Sequence, residues 1–271
     1  EWKYKKGRTI NASKFPTPKV VNGSLFSYPT LLYNGSIAPL HDLPIKGVIW
    51  YQGEANENRA VEYEQLLKTM ITDWRTKWNN PNMPFYIVQL ANYKQEDTLP
   101  TDSKWAEIRE SQTNAAKMEH VDIITTIHPT NKLDVGKRLG QLAMYDNYKG
   151  KLLRSPSYKS HILEADKVII KMNTFGSELK SLDKYGYIRG FAIADNDGEF
   201  KWAKAYLREN NEVIVFSKNI KNPKYVRYAW SDNPGDLDLV NTEKLPALPF
   251  RTDTFKLSTA DEKYFFSPYR F

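Results

Sequence analysis

Across residues 48–148 the chain repeats one pattern three times: a short apolar run, a polar junction, then apolar residues at helical spacing. Val48-Ile49-Trp50-Tyr51 follows a boundary at Pro44 and Gly47 and is built of strand-favouring side chains, so it predicts a buried strand. Residues 61–78 then carry apolar side chains at Tyr63, Leu66, Leu67, Met70, Ile71, Trp74 and Trp78, helical spacing with one apolar face, and Asn79-Asn80-Pro81 stops that helix. The same reading predicts strands at 84–90 and 121–127 and helices at 105–117 and 132–148. Alternation of this kind demands a parallel sheet covered on both faces, because parallel strands need crossovers and the crossover helices cover the sheet. With right-handed connections it is half or more of a doubly wound α/β domain.

Flanking this block the texture differs. Residues 1–27 are polar and broken by Pro16, Pro18 and Gly23, which predicts an irregular surface segment. From about Leu152, short strand-like runs at 168–170, 188–194, 202–207, 213–216 and 225–230 alternate with turn signals such as Asp195-Asn196-Asp197-Gly198. The expected organisation is an α/β domain over 1–150 and a β-rich segment over 151–271, packed on the first part or appended to it. A length of 271 residues allows one large domain or two smaller ones.

The junction after the first strand carries the most chemistry. Its character flips from apolar to Gln52, Gly53, Glu54 and Asn56, all small or polar. Open α/β sheets bind ligands where strands end, and amide donors beside a glycine suit a developing oxyanion. Trp50-Tyr51-Gln52-Gly53-Glu54-Ala55-Asn56 resembles the WYQGE(S/A)N signature of the sialate O-acetylesterase family of SGNH/GDSL-type serine hydrolases. The resemblance runs over 28–253 and is carried also by Tyr33-Asn34-Gly35-Ser36-Ile37-Ala38-Pro39-Leu40, Pro84-Phe85-Tyr86-Ile87-Val88-Gln89-Leu90 and Val226-Arg227-Tyr228-Ala229-Trp230-Ser231-Asp232-Asn233-Pro234. It implies an SGNH-hydrolase-like doubly wound parallel sheet followed by the β-rich segment, with 1–150 the C-terminal portion of the hydrolase domain.

Of the four histidines, His41 precedes the first strand, His120 precedes the third and His161 lies in the β-rich part. His128 alone falls at the carboxyl end of a predicted parallel strand. His128-Pro129-Thr130-Asn131-Lys132-Leu133-Asp134-Val135-Gly136 is similar to the family's HPxNKxDVG segment, whose histidine is the general base for a serine nucleophile. The resemblance therefore assigns the base to His128 and the oxyanion and substrate loop to Gln52, Gly53, Glu54 and Asn56. Asp134 and Arg138 are expected to form a structural i,i+4 pair. Asp122 lies too far down its strand to serve.

Two departures from the family bear on the mechanism. Where the family has an acid two residues before the histidine, this chain has Thr126. Either the orienting acid is absent or residues are missing before His128, and the passage from strand straight into His-Pro favours the second. The family's SSWGGT-like nucleophile turn has no counterpart, and Ser24, Ser27 and Ser36 lack a strand–Gly–Ser–helix context. No nucleophile is assigned, and the serine is expected on a missing N-terminal portion or companion chain that holds the sheet's first strand. Lacking that strand, the neighbouring edge should stand open.

The function so implied is hydrolysis of O-acetyl esters on sugars, sialic acid first, through a serine acyl-enzyme and with no cofactor. The partner is an acetylated sugar or glycan. The alternative is a carbohydrate-binding protein on a catalytically incomplete esterase scaffold. The resemblance implies a secreted or periplasmic protein; the chain begins at Glu1 without a signal segment, which leaves targeting open. A net charge of +7 does not argue for nucleic acid, because Lys and Arg are scattered among 32 acidic residues. No apolar run is long enough to span a bilayer. Zero cysteines exclude disulfides and thiolate metal sites, and neither HExxH nor a phosphate-cradling glycine motif occurs. A glycosidase would need a second carboxylate converging on Glu54, and none is evident.

Overall fold

The structure is a computed structural model that describes residues 30–125, 131–151 and 153–264. The chain forms two compact units, Leu43–Tyr264 and a smaller one of Glu1–Asp42 with Phe265–Phe271. In the smaller unit the described residues form one π-helical turn, Tyr33–Ile37, continued by a 3-10 turn, Ala38–Leu40.

The larger unit opens with the predicted alternation: β1 (Val48–Trp50), α1 (Ala60–Lys77), β2 (Phe85–Val88), α2 (Lys104–Ala115), β3 (Val121–Ile124) and α3 (Lys132–Tyr148). The three strands pair in parallel in the order β1-β2-β3. Being central, β2 is buried along its whole length, and its side chains divide by the two-residue period of a strand. Phe85 and Ile87 pack with Tyr63, Leu67 and Ile71 of α1 and Ile108 of α2. Tyr86 and Val88 pack with Val135, Leu139 and Leu142 of α3. At its far end α1 stops where Asn79 takes a left-handed φ of 48° and the Asn80 N–H reaches back to the Arg75 carbonyl at 2.9 Å. Among the described residues β1 pairs with β2 alone, and Ile49 on it is 59% exposed.

Antiparallel structure follows: β4 (Ser157–Glu164), β5 (Lys167–Asn173), β6 (Leu179–Ser181), β7 (Phe191–Ala194), β8 (Lys201–Trp202), β9 (Lys204–Arg208), β10 (Glu212–Phe216), β11 (Tyr225–Tyr228), β12 (Leu239–Asn241) and β13 (Phe250–Arg251). They make two four-stranded sheets, β4-β5-β10-β9 and β13-β11-β7-β8, and a β12-β6 pair. One apolar core, with Val168, Ile170, Phe191, Ile193, Val213 and Tyr228 at its centre, joins the two larger sheets.

This part meets the α/β part along α2. The buried Arg109 side chain donates to the carbonyls of Ser231 and Asp232, both at 2.8 Å. The Glu107 carboxylate accepts four hydrogen bonds from the backbone and hydroxyls of Ser258 and Thr259, at 2.6–3.0 Å. The Tyr228-Ala229-Trp230-Ser231-Asp232 stretch thus earns its place as the seat of Arg109.

Candidate functional site

The loop after β1 is held from beneath by an amide and a phenol. The Gln52 carbonyl accepts from Tyr63 Oη at 2.8 Å and from Gln112 Nε2 at 3.1 Å. Tyr63 Oη in turn accepts from Trp50 Nε1 at 3.2 Å, and Gln112 Oε1 accepts from the Leu90 N–H at 3.0 Å. Gln112 therefore ties the exit of β1 to the exit of β2. Burial raises the Tyr63 pKa, partly offset by its bonds to Trp50 and Gln112, so the hydroxyl stays protonated and able to donate.

Gly53 is buried under this latch. A Cβ there would meet Gln112 Nε2 and Leu90 Cδ1, both at 3.2 Å, so only glycine lets the loop come this close to β2 and α2. A 3-10 helix, Glu54–Arg59, leads on into α1. The loop's own polar groups face one another: Gln52 Nε2 donates to Asn56 Oδ1 at 2.9 Å, and the Gly53 N–H donates to Glu54 Oε2 at 3.0 Å. Gln52 commits one of its two amide hydrogens in this way, and the Gly53 donor is covered by a carboxylate.

Beside the loop opens a cleft of about 400 Å³, with Tyr51, Glu54, Glu57, Tyr93, Trp105 and Lys132 among its lining residues. It lies where β1 and β2 end and α3 begins, the carboxyl edge of the parallel sheet. Lys132 Nζ donates to Tyr51 Oη at 3.0 Å and stands 4.7 Å from the centre of that ring.

His128 lies outside the described residues, as does Thr126. On its two sides, the Thr125 carbonyl accepts from Arg138 Nη1 at 2.7 Å, and Asn131 caps α3 by exchanging hydrogen bonds with Asp134 at 3.2 and 2.8 Å. The expected Asp134–Arg138 pair is a long contact of 4.0 Å. Asp122 forms a two-pronged ion pair with Arg154 at 2.5 and 3.0 Å, away from the cleft. His161 Nδ1 shares a hydrogen bond with Tyr158 Oη at 2.7 Å, and burial lowers its pKa. The His120 carbonyl accepts from Phe85 N and Arg75 Nη2, both at 3.0 Å, and neither of these two histidines lines the cleft.

Gln112, Tyr93 and Glu57 were not singled out by the sequence, where they read as helix or loop residues without a motif, and Tyr63 was read only as part of an apolar helix face. Among the described residues no group of three or more His, Asp and Glu side chains is set to hold a metal ion, and no helix is long and apolar enough to cross a membrane.

A latched, glycine-dependent loop opening on a cleft at the end of a parallel sheet is the architecture of an α/β protein with a ligand site at the carboxyl edge of its strands. A carbohydrate acetylesterase from Xanthomonas citri superposes on the chain with a TM-score of 0.76 at 39% identity, over 84% of this chain and 55% of its own. Residues 21–136 match the family model described as carbohydrate esterase, sialic acid-specific acetylesterase. The mouse sialate O-acetylesterase is 27% identical over 258 residues, 82% of this chain and 47% of the mouse protein. The human one is 25% identical over 282 residues, 90% and 53% respectively. The chain is similar to the sialate O-acetylesterase family over residues 21–136, and it spans about half the length of the curated relatives it matches.

Proposed function

We propose that this chain supplies the base and the oxyanion loop for hydrolysis of O-acetyl esters on sugars, sialic acid first. The observation that carries the reading is the cleft at the carboxyl edge of the sheet, lined by Tyr51, Glu54 and Glu57 from the segment after β1, in a chain similar to this family. His128 takes the proton of a serine hydroxyl that lies outside these 271 residues. The serine oxygen attacks the acetyl carbonyl, the sugar oxygen leaves with the proton from His128, and water then releases acetate by the same route in reverse. Gln52 and Gly53 hold the oxyanion, with Glu54 and Asn56 supporting the loop. For the Gly53 N–H to take part, the Glu54 carboxylate has to turn away from it. What supports the role of His128 is that Lys132, four residues on, lines the same cleft.

The proposal extends to an SGNH-type, doubly wound sheet whose first strand lies beside β1, with 151–271 as its β-rich partner, in a secreted or periplasmic protein. In its favour is the single pairing of β1 among the described residues.

The test is deacetylation of an O-acetylated N-acetylneuraminic acid by the whole protein. His128→Ala should lower kcat by about 10⁴-fold or more, as loss of a triad member does. Gln52→Ala should lower it about 10²- to 10³-fold, as loss of one oxyanion donor does. Parental activity in the His128 variant would overturn the assignment of the base. The covered Gly53 donor favours a second reading, a sugar-binding protein without turnover, which would bind the sugar yet release no acetate.

A further inference from the structure

We propose that Tyr93, backed by Trp105 and accompanied by Glu57, is the platform on which the cleft holds the pyranose ring that carries the acetyl group. This rests on the sugar-ester reading for the identity of the ligand, though not for the existence of the site. Tyr93 is 50% exposed, yet its ring stacks on Trp105 with centroids 4.7 Å apart and planes 28° from parallel. Trp105 is itself only 6% exposed and is fixed by its Nε1, which donates to the Ala91 carbonyl at 2.8 Å. The Tyr93 backbone is fixed too, its N–H donating to the Asp232 carbonyl at 3.0 Å. A large ring is therefore held rigid from behind and left open to solvent, beside the loop assigned to the chemistry. Lys94 Nζ, tethered to Asp232 at 2.7 Å, stands 5.4 Å from the ring centre.

A pyranose has an apolar face of C–H groups and a rim of hydroxyls. The first fits an aromatic face, and the second needs acceptors close by. Glu57 supplies such an acceptor: among the described residues its Oε2 is buried and without a hydrogen-bond partner, and Glu57 lines the same cleft as Tyr93. A carboxylate oxygen withdrawn from water without a donor is costly, and a sugar hydroxyl would satisfy it. The ring and the orphan acceptor are separate observations that point to one ligand chemistry.

The experiment uses the whole protein and reads binding and turnover separately. N-acetylneuraminic acid is titrated calorimetrically, and hydrolysis of its O-acetyl ester and of ethyl acetate is followed by pH-stat. Tyr93→Ala should weaken sugar binding roughly 3- to 10-fold, the range of one aromatic contact, and should lower kcat/KM on the sugar ester by more than on ethyl acetate. Tyr93→Phe, which keeps the ring and guards against a folding artefact, should bind like the parent. Glu57→Gln should weaken binding. A parent that binds the sugar in a Tyr93-dependent manner yet cleaves neither ester keeps the platform and ends the esterase proposal. A parent that cleaves both esters, with Tyr93→Ala lowering both equally, ends the platform and keeps the esterase proposal. Sugar binding that is the same in Tyr93→Ala and the parent, or absent in both, overturns the platform.

Discussion

Helix α2 is gripped by two sets of contacts interleaved around it, a charged set and a neutral one. In the charged set Glu107 receives Ser258 and Thr259, Arg109 caps the carbonyls at 231 and 232, and Glu110 meets Arg251 at 3.0 Å. In the neutral set Gln112 bridges Leu90 and Gln52, and Ser111 Oγ donates to the Ala60 carbonyl at 2.7 Å. The charged contacts join segments more than a hundred residues apart in the chain, whereas the neutral ones shape the backbone beside the cleft. The difference follows from chemistry. A buried charge is all or nothing, since losing one partner strands the other. A carboxamide donates and accepts at once, so Gln112 can satisfy an N–H and a C=O in one rigid step. Long-range assembly is thus assigned to groups that punish disruption, and local positioning to a group that adjusts.

The largest expected effect lies in the charged set. Glu107→Ala should lower the unfolding free energy by about 3–5 kcal/mol, because the donors of Ser258 and Thr259 lose a buried acceptor. Urea denaturation measures it, and a loss under 1 kcal/mol would show that the charged set does not hold the two parts together.

Next comes Asp253, which accepts from Arg227 at 2.9 Å and Arg251 at 3.0 Å. Burial by itself would raise its pKa, but the two guanidinium groups outweigh burial and hold it below the ordinary 3.8. The charged form is therefore the one the fold prefers. Its stabilisation is fully present above the unfolded value of about 3.9 and disappears as pH falls through the lower folded value. Asp253→Asn should lose about 1.5–3 kcal/mol at neutral pH and flatten the acid limb of the stability profile. An acid limb as steep as the parent's would remove Asp253 from the account.

Much of this architecture was legible in the chain, for reasons that also mark its limits. The parallel sheet could be read because β1, β2 and most of β3 are apolar runs and α1 keeps a helical stripe; burial agrees along β2, whereas β1, expected to be buried, leaves Ile49 exposed. The loop at Gln52–Asn56 could be read because polarity changes abruptly where a strand ends. By contrast, β4 was not anticipated: Tyr158, Lys159, Ser160, His161 and Ile162 show no clean alternation, and its pairing with β5 slips at Tyr158/Ser160. The helix α2 looked like one with a few inward residues, yet Glu107, Arg109 and Gln112 are all buried. Nothing local tells a buried charge from an exposed one when its partners come from the far end of the chain. Tyr93 was hidden for the same reason, since an aromatic in a polar loop gains meaning only from the Trp105 behind it.

In the neutral set, Gln112→Glu keeps size and the acceptor for Leu90 but turns the donor facing the Gln52 carbonyl into a second acceptor. A loss of about 1–3 kcal/mol is expected, the range for one buried polar group left unmatched. Deacetylation should fall out of proportion to stability, with kcat reduced more than KM is raised, because the loop shifts while the rest of the fold stays assembled. Stability lost as heavily as in Glu107→Ala, with kcat unchanged in the folded fraction, would erase the distinction between the two sets.

The smallest effect belongs to Tyr63→Phe, and it is the sharpest test of whether the neutral set positions or merely supports. Without the hydroxyl, the Gln52 carbonyl keeps Gln112 and loses a bond of 2.8 Å, while Trp50 Nε1, at a half-buried position, can turn to water. The net loss should be about 0.5–1.5 kcal/mol, one ordinary hydrogen bond exchanged for hydration. Amide exchange measured by NMR should show where that loss is felt. The N–H groups of Gly53 and Asn56 should exchange faster, while those of Ile87 and Val88 in the centre of the sheet keep the protection of the global fold. Equal acceleration at Val88 and Gly53 would mean that the phenol supports the whole α/β part, and that positioning of the loop rests on Gln112 alone.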